Sequence, residues 1–132
     1  MVKRWVERYE FFQKALGQLV AGLAAYPDLN ELEKDGAILR FEFTFELAWK
    51  TLQDYLAQES GYVDVKGPRV VIKQAIQDGF LADGHLWLQM LLDRNELTHS
   101  YDEEKSRAVL EVISTTYVGL LTKLDKSLAS KL

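Results

Sequence analysis

The chain contains no cysteine and only two histidines among its 132 residues. Without cysteine it can form no disulfide, thiolate nucleophile or thiol-ligated zinc site, which fits a reducing cytosol. The histidines, His85 and His99, stand far apart in the sequence. One imidazole without a second nearby makes a poor transition-metal site, so we expect no bound metal ion and no metal-dependent mechanism.

Long apolar runs and an excess of basic residues are also missing. No run approaches the roughly 18–20 residues that span a bilayer, and no secretory leader pattern is present at the start of the sequence. The net charge is -4, so nucleic acid would have to be bound by a local patch and not by a global basic field. We expect a cytoplasmic protein without membrane contacts, forming a single domain over residues 1–132.

Apolar residues recur at three- and four-residue steps through almost the whole chain, which is the period of amphipathic helices. Strand-like alternation is not found over any useful length. The predicted helices cover residues 2–25, from 30 or 35 to about 60, 68–78, from 83 or 84 to the 94–101 stretch, and about 102–128. This pattern predicts an all-α fold, an antiparallel up-and-down bundle of about five helices.

The second predicted helix is apolar on more than one face. Phe41 and Phe45 belong to its main apolar stripe, whereas Phe43 and Leu47 lie off that stripe. A helix that is apolar nearly all round is buried on several sides. The helix is therefore either central in the bundle or covered by a second subunit.

The stretch RNELTHSY, residues 94–101, places polar groups directly after the apolar run GHLWLQMLL. Such groups are costly to bury unpaired, so they should either cap a helix or perform chemistry. Ser100 and Glu103 have the spacing of a capping box, which predicts that the last helix starts at Tyr101 or Asp102. Caps and salt-bridged surface groups are therefore one interpretation of this stretch. Tyr101, taken alone, is an interface aromatic with a satisfied hydroxyl.

The second interpretation of the same stretch is catalytic. His99 can exchange a proton near neutral pH and Arg94 can hold a phosphate bidentately. Together they would suit metal-free RNA cleavage, with Asn95 orienting the histidine or the phosphate. In a regular helix, however, Arg94 and His99 point in different directions. They converge only if the chain breaks between them or if a second copy of the motif faces the first.

Two further charged groups have open interpretations. Glu42 and Glu46 share a helix face, with Lys50 one turn along; they form either an exposed strip with a Glu46–Lys50 pair or an anchor for Arg94 or His99. Three basic residues lie near the start of the third helix and either follow an RNA backbone or form a solvated face: Lys66, Arg69 and Lys73.

Two long segments resemble a known family. RFEFTFELAWKTLQDYL, residues 40–56, resembles the signature helix of the nucleotidyltransferase substrate-binding proteins, a branch of the HEPN superfamily, and GFLADGHLWLQMLLDRNELTHSYDEE, residues 79–104, resembles that branch's second signature. RNELTH is similar to the superfamily's R-x4-6-H motif, and Tyr101 extends it to the R-x4-H-x-Y form of HepT-type toxins. The short motif alone is weak, but two long segments in the same order, within a resemblance over residues 4–124, are a strong signal.

The resemblance implies more than the residues alone do. It implies a HEPN-like bundle with a four-helix core that dimerises, so that two motifs line one cleft, and it implies a metal-independent RNase. By position, Arg94 would bind or polarise the phosphate, His99 would be the acid or base, and Asn95 would shape the site. The implied substrate is RNA, with tRNA as one candidate.

The resemblance also implies a partner. HepT-like proteins work with a minimal (MNT-type) nucleotidyltransferase, which uses ATP to place AMP on the motif tyrosine, here Tyr101, and so silences the RNase. The ATP is used by the partner, and this chain would need no cofactor. An alternative view of the branch is a non-catalytic subunit that binds a nucleotide or other substrate for the nucleotidyltransferase. The presence of Arg94, His99 and Tyr101 together favours the RNase.

Overall fold

The structure is a computed structural model that describes residues 3–99 and 102–132. Within those residues it contains helices and no strand, which confirms the predicted all-α bundle. The last predicted helix is formed by two α-helices with a π-helical turn, Ile113–Tyr117, between them. The helices are α1 (Arg4–Gly22), α2 (Glu31–Ser60), α3 (Pro68–Gln77), α4 (Gly84–His99), α5 (Glu103–Val112) and α6 (Val118–Ala129).

The start of α2 is fixed by a capping box. The side chain of Asn30 accepts a hydrogen bond from the Glu33 amide at 2.8 Å, and the Glu33 carboxylate accepts one from the Asn30 amide at 2.9 Å. A cap of this kind contributes about 1 kcal/mol. Of the two predicted starts, the one at residue 30 is therefore confirmed. The helix ends at Ser60 and is capped by Gly61, whose left-handed φ of 75° suits a residue without a Cβ.

The last predicted helix is confirmed, but a π-helical turn lies within it. The π-helical turn inserts an extra residue into this helix, so the predicted helix over about 102–128 is formed by α5, the turn and α6 without a gap. Asp102 is the N-cap of α5, because its side chain accepts a hydrogen bond from the Lys105 amide at 3.1 Å. The predicted capping box of Ser100 with Glu103 depends on a residue outside the described ranges.

Helices α1 and α4 both run antiparallel to α2. Near one end of α1 the Trp5 amide bonds to Gln58, and near the other end Arg40 bonds to the Gln18 carbonyl. In the same way, Arg94 of α4 contacts Glu46 of α2, and Thr98, one turn later on α4, contacts Glu42, one turn earlier on α2. The core between them is built from large side chains that are almost fully buried, among them Trp5, Phe12, Phe41, Phe45, Leu52, Trp87, Met90 and Tyr117.

One face of α2 is buried in this core and another is left open. Phe41 and Phe45 are fully buried, whereas Leu39 and Phe43 are 67% and 62% exposed, and Leu47 is half-buried. The helix is thus central in the bundle and still presents apolar side chains outward. No helix in the described part of the chain is long and apolar enough to cross a membrane.

Candidate active site

Arg94 projects from α4 onto α2, where it is fixed by three contacts. Its Nη2 forms a short ion pair with Oε2 of Glu46, and its Nη1 donates to Oδ1 of Asn95 at 3.3 Å. The guanidinium carbon also lies 5.8 Å from the centre of the Phe45 ring, a cation–π distance. The Arg94 side chain is only 22% exposed. Its orientation is therefore set by the fold before any ligand arrives.

Glu46 is the acceptor around which this arrangement is built. Besides Arg94, it accepts a hydrogen bond from Trp49 Nε1 at 3.0 Å and pairs with Lys50 at 3.3 Å. Partial burial raises the pKa of Glu46, but the Trp49 hydrogen bond and the charges of Arg94 and Lys50 outweigh it and leave the pKa below its usual value. Both sequence interpretations of Glu46 are thus present at once: it pairs with Lys50 and it anchors Arg94.

His99 is the last residue of α4 and is exposed. The helix is regular from Arg94 to His99, and five residues correspond to a rotation of about 140° around its axis. No chain break therefore brings the two side chains of one copy together. Asn95 is four residues before His99 and lies on the same face of α4. Because its side chain also accepts the hydrogen bond from Arg94, Asn95 lies between the arginine and the face that carries His99.

Thr98 forms a second contact between α4 and α2. Its hydroxyl donates to the Arg94 carbonyl at 3.1 Å and lies 3.4 Å from Oε2 of Glu42. Burial raises the pKa of Glu42, and the Thr98 hydrogen bond and the Arg94 charge only partly oppose that effect. Glu42 is thus a weaker anchor than Glu46, one turn further along the same helix face.

A contact that the sequence did not reveal supports α4 from the other side. Asp93, directly before Arg94, accepts a short hydrogen bond from the hydroxyl of Tyr117. Tyr117 is buried and stacks on Phe41 at 5.9 Å, and burial and then the Asp93 hydrogen bond raise its pKa. The π-helical turn ends at Tyr117. A single carboxylate in an otherwise apolar run was the available signal, but nothing local identified its partner.

A surface cavity of about 440 Å³ lies beside the motif, between α2, α4 and α5. Ile38, Leu39 and Leu97 form its apolar part, and Arg107 is the basic residue in its lining. Arg107 already forms ion pairs with Glu31 at 2.7 Å and with Asp35 at 3.0 Å. This side of the motif is therefore acidic and unsuited to phosphates, with the lining carboxylates Glu31, Asp35, Glu42, Asp102 and Glu103.

Two sets of predicted residues remain. Tyr101 lies outside the described residues. The predicted basic cluster is exposed, at the start and along the outer face of α3: Lys66, Arg69 and Lys73. Within residues 3–99 and 102–132, no group of three or more histidine, aspartate or glutamate side chains could hold a metal ion.

Removing the Glu46 carboxylate should destabilise the fold through Arg94. In Glu46→Ala, Arg94 and Trp49 lose their acceptor while still partly buried, and we expect a loss of about 1–2 kcal/mol, because the pair is only partly desolvated. Urea unfolding followed by circular dichroism measures it. Glu42→Ala, on the same helix face with only a 3.4 Å contact, is the control. Equal stability of the two variants would contradict the anchoring role.

A family model described as nucleotidyltransferase substrate binding protein like matches residues 7–130, almost the whole chain. The chain belongs to this family. The match spans both signature segments and every described residue of the candidate site. Membership confirms the resemblance, and the chain is a HepT-like HEPN protein.

Two relatives of this family member add detail. A Haemophilus influenzae protein named "Probable ribonuclease HepT" is 34% identical over 77 residues, which cover 56% of this chain and 53% of that protein. The match thus spans about half the length of the curated relative. A crystal structure of a protein from Thermus thermophilus is 34% identical with a TM-score of 0.74, covering 91% of this chain and 97% of that one. The helical bundle is therefore shared with that protein over nearly its full length.

Proposed function

We propose that this family member is a metal-independent endoribonuclease with Arg94, Asn95 and His99 in its active site. The observation that supports this most is the fixed Arg94 guanidinium, held by Glu46 and Asn95, on the helix that ends at an exposed histidine. A pre-oriented cation stabilises developing phosphate charge without reorganisation during the reaction. The name of the Haemophilus influenzae relative supports the same activity.

The proposed reaction needs only groups that the chain contains. A His99 imidazole takes the proton of the ribose 2′-hydroxyl, whose oxygen forms a new bond to the adjacent phosphorus as the bond from phosphorus to the 5′-oxygen breaks. The same imidazole, now protonated, gives that proton to the leaving 5′-oxygen, so each site needs one histidine. Arg94 binds the phosphoryl oxygens and stabilises the charge that builds up on them. No redox step and no cofactor is involved.

The proposed active unit is a homodimer. Because Arg94 and His99 point about 140° apart on a regular helix, a single copy cannot direct both at one phosphate. A second copy of α4 facing the first would place one copy's arginine opposite the other's histidine. The exposed side chains of Leu39 and Phe43, on the helix that anchors Arg94, supply apolar surface for that contact.

Cleavage of a mixed tRNA pool in the presence of EDTA tests the activity directly. The proposal requires the purified protein to cut RNA with the metal chelated, because no step uses a divalent cation. Fragments should appear at equal rates with EDTA and with added Mg²⁺. Cleavage that EDTA abolishes would overturn the metal-free mechanism.

The proposed regulator is an MNT-type nucleotidyltransferase in the cytoplasm, which transfers AMP from ATP to Tyr101. A bulky anionic adenylate two residues from His99 would occlude the cleft and repel RNA phosphates. The family description, which links these chains to nucleotidyltransferases, supports such a partner.

Replacement of the tyrosine separates modification from activity. Tyr101→Phe lacks the acceptor hydroxyl, so we expect it to keep its RNase activity after incubation with the partner and ATP, whereas the natural protein loses it. Intact-mass measurement should show one AMP added to the natural protein and none to the variant. AMP found on another residue of the variant would refute the assignment.

A second candidate function is a non-catalytic subunit that binds a nucleotide or other substrate for the nucleotidyltransferase. The wording of the family description favours it. This function is supported instead if the protein binds the nucleotidyltransferase without cutting RNA. Arg94→Ala should then lower the affinity for the partner or for the bound nucleotide.

A further inference from the structure

The outer face of α3 carries basic residues that the proposed chemistry does not use. Between residues 62 and 77 the sequence contains three basic residues and one acidic residue, Asp64. Lys66, Arg69 and Lys73 are all exposed and recur at three- and four-residue spacing. In the described part of the chain, none of the three forms an ion pair with a carboxylate. Their charge is therefore free to act on a ligand.

A backbone contact places this basic face relative to Arg94. The Gly67 amide, between Lys66 and the start of α3, donates to Oε1 of Gln53 on α2 at 2.9 Å. Gln53 is two helical turns beyond Glu46 on the same side of α2, a distance of about 10 Å along the axis. Lys50 lies between them, 40% exposed and paired with Glu46 at 3.3 Å; Glu46 thus has two cationic partners, Arg94 and Lys50. Positive groups thus follow one another along α2 from the Arg94–Glu46 pair to α3.

The other end of the motif has the opposite charge. There the 440 Å³ cavity is lined by five carboxylates, and its one arginine is already paired with two of them. The hydrogen bond and charge of Arg107 lower the pKa of Glu31 to about 2, so that carboxylate stays ionised. A phosphate backbone crossing Arg94 meets attraction on the α3 side and repulsion on the α5 side.

We propose that Lys66, Arg69 and Lys73 form a phosphate-binding track that holds the RNA strand on one side of the cleavage site. The inference rests on the proposed RNase function and names the surface that its substrate uses. The track contacts phosphates and not bases, so it positions RNA without reading its sequence. It also explains how a protein with a net charge of -4 can retain RNA through a local patch.

Equilibrium binding of fluorescently labelled tRNA to a cleavage-deficient protein tests the track. Arg69→Glu with Lys73→Glu, in a His99→Ala background, should weaken binding by roughly tenfold or more, and the slope of log affinity against log salt should fall by about 0.7 for each phosphate that is no longer neutralised. The control is Lys14→Glu with Lys131→Glu, two other exposed lysines whose reversal changes the net charge equally. Circular dichroism checks that both variants remain folded.

The outcomes separate the track from the catalytic proposal. Equal binding by the two double variants would overturn the track, even if the natural protein cleaves RNA. A loss of binding specific to the α3 variant supports it, and the same substitutions in the natural protein should then raise KM with kcat nearly unchanged. If the natural protein binds RNA through α3 but does not cut it, the nuclease function fails while the RNA-binding surface stands.

Discussion

Replacing His99 with alanine should lower the rate of RNA cleavage by about 10²–10⁴-fold, the usual contribution of a positioned acid or base. The free energy of unfolding should hardly change, because His99 is exposed in the last turn of α4. Single-turnover cleavage of a tRNA pool in EDTA, beside urea unfolding, measures both quantities. Loss of activity without loss of stability is the result that distinguishes a catalytic residue from a structural one.

Arg94 provides the matching variants for this experiment. Arg94→Ala should also abolish cleavage while retaining the helical content, but it removes one of the three partners of Glu46, leaving Trp49 and Lys50, and uncovers the Phe45 ring. It should therefore lower stability by about 1–2 kcal/mol, unlike His99→Ala. Arg94→Lys keeps the charge and loses the planar fork, so we expect partial activity. Full cleavage by both alanine variants would remove the proposed site.

The sequence predicted the helices well because their signals are local. Apolar spacing identified each helix, and Asn30 and Gly61 supplied a cap and a stop for α2 that the structure confirms. The π-helical turn could not be predicted, because one inserted residue leaves the apolar pattern of the last helix nearly intact. Helix periodicity reports which face is buried but not how many residues each turn contains.

The candidate site was predicted as a list of residues but not as a set of contacts. Spacing gave two interpretations of Glu46, since a pair at i,i+4 is visible in the sequence and a pair 48 residues apart is not. The same limit hid the bond from Tyr117 to Asp93, which joins α4 to the last helix. Long-range polar pairs follow from how helices pack. They require the fold, whereas Arg94, Asn95 and His99 could be named from their chemistry.

Mixing two inactive variants should restore RNA cleavage if the site is shared between two copies. A dimer of Arg94→Ala with His99→Ala contains one site with an intact arginine from one copy and an intact histidine from the other. Random pairing after joint refolding from urea makes about half of the dimers mixed, so about a quarter of the natural activity should return. If Arg94 and His99 of the same copy worked together, no mixed dimer would contain a complete pair, and no activity would return.

The same experiment identifies the dimer surface. Phe43 is 62% exposed on α2, on the helix that anchors Arg94. Adding Phe43→Asp to both variants should prevent the recovery and yield monomers in sedimentation, while stability is retained because the side chain packs little within its own bundle. Lys14→Asp, an exposed position on α1, is the control and should leave the recovery intact. Recovery despite Phe43→Asp would place the contact elsewhere, whereas its loss would show that the anchored arginine acts on RNA only when a second α4 supplies the histidine.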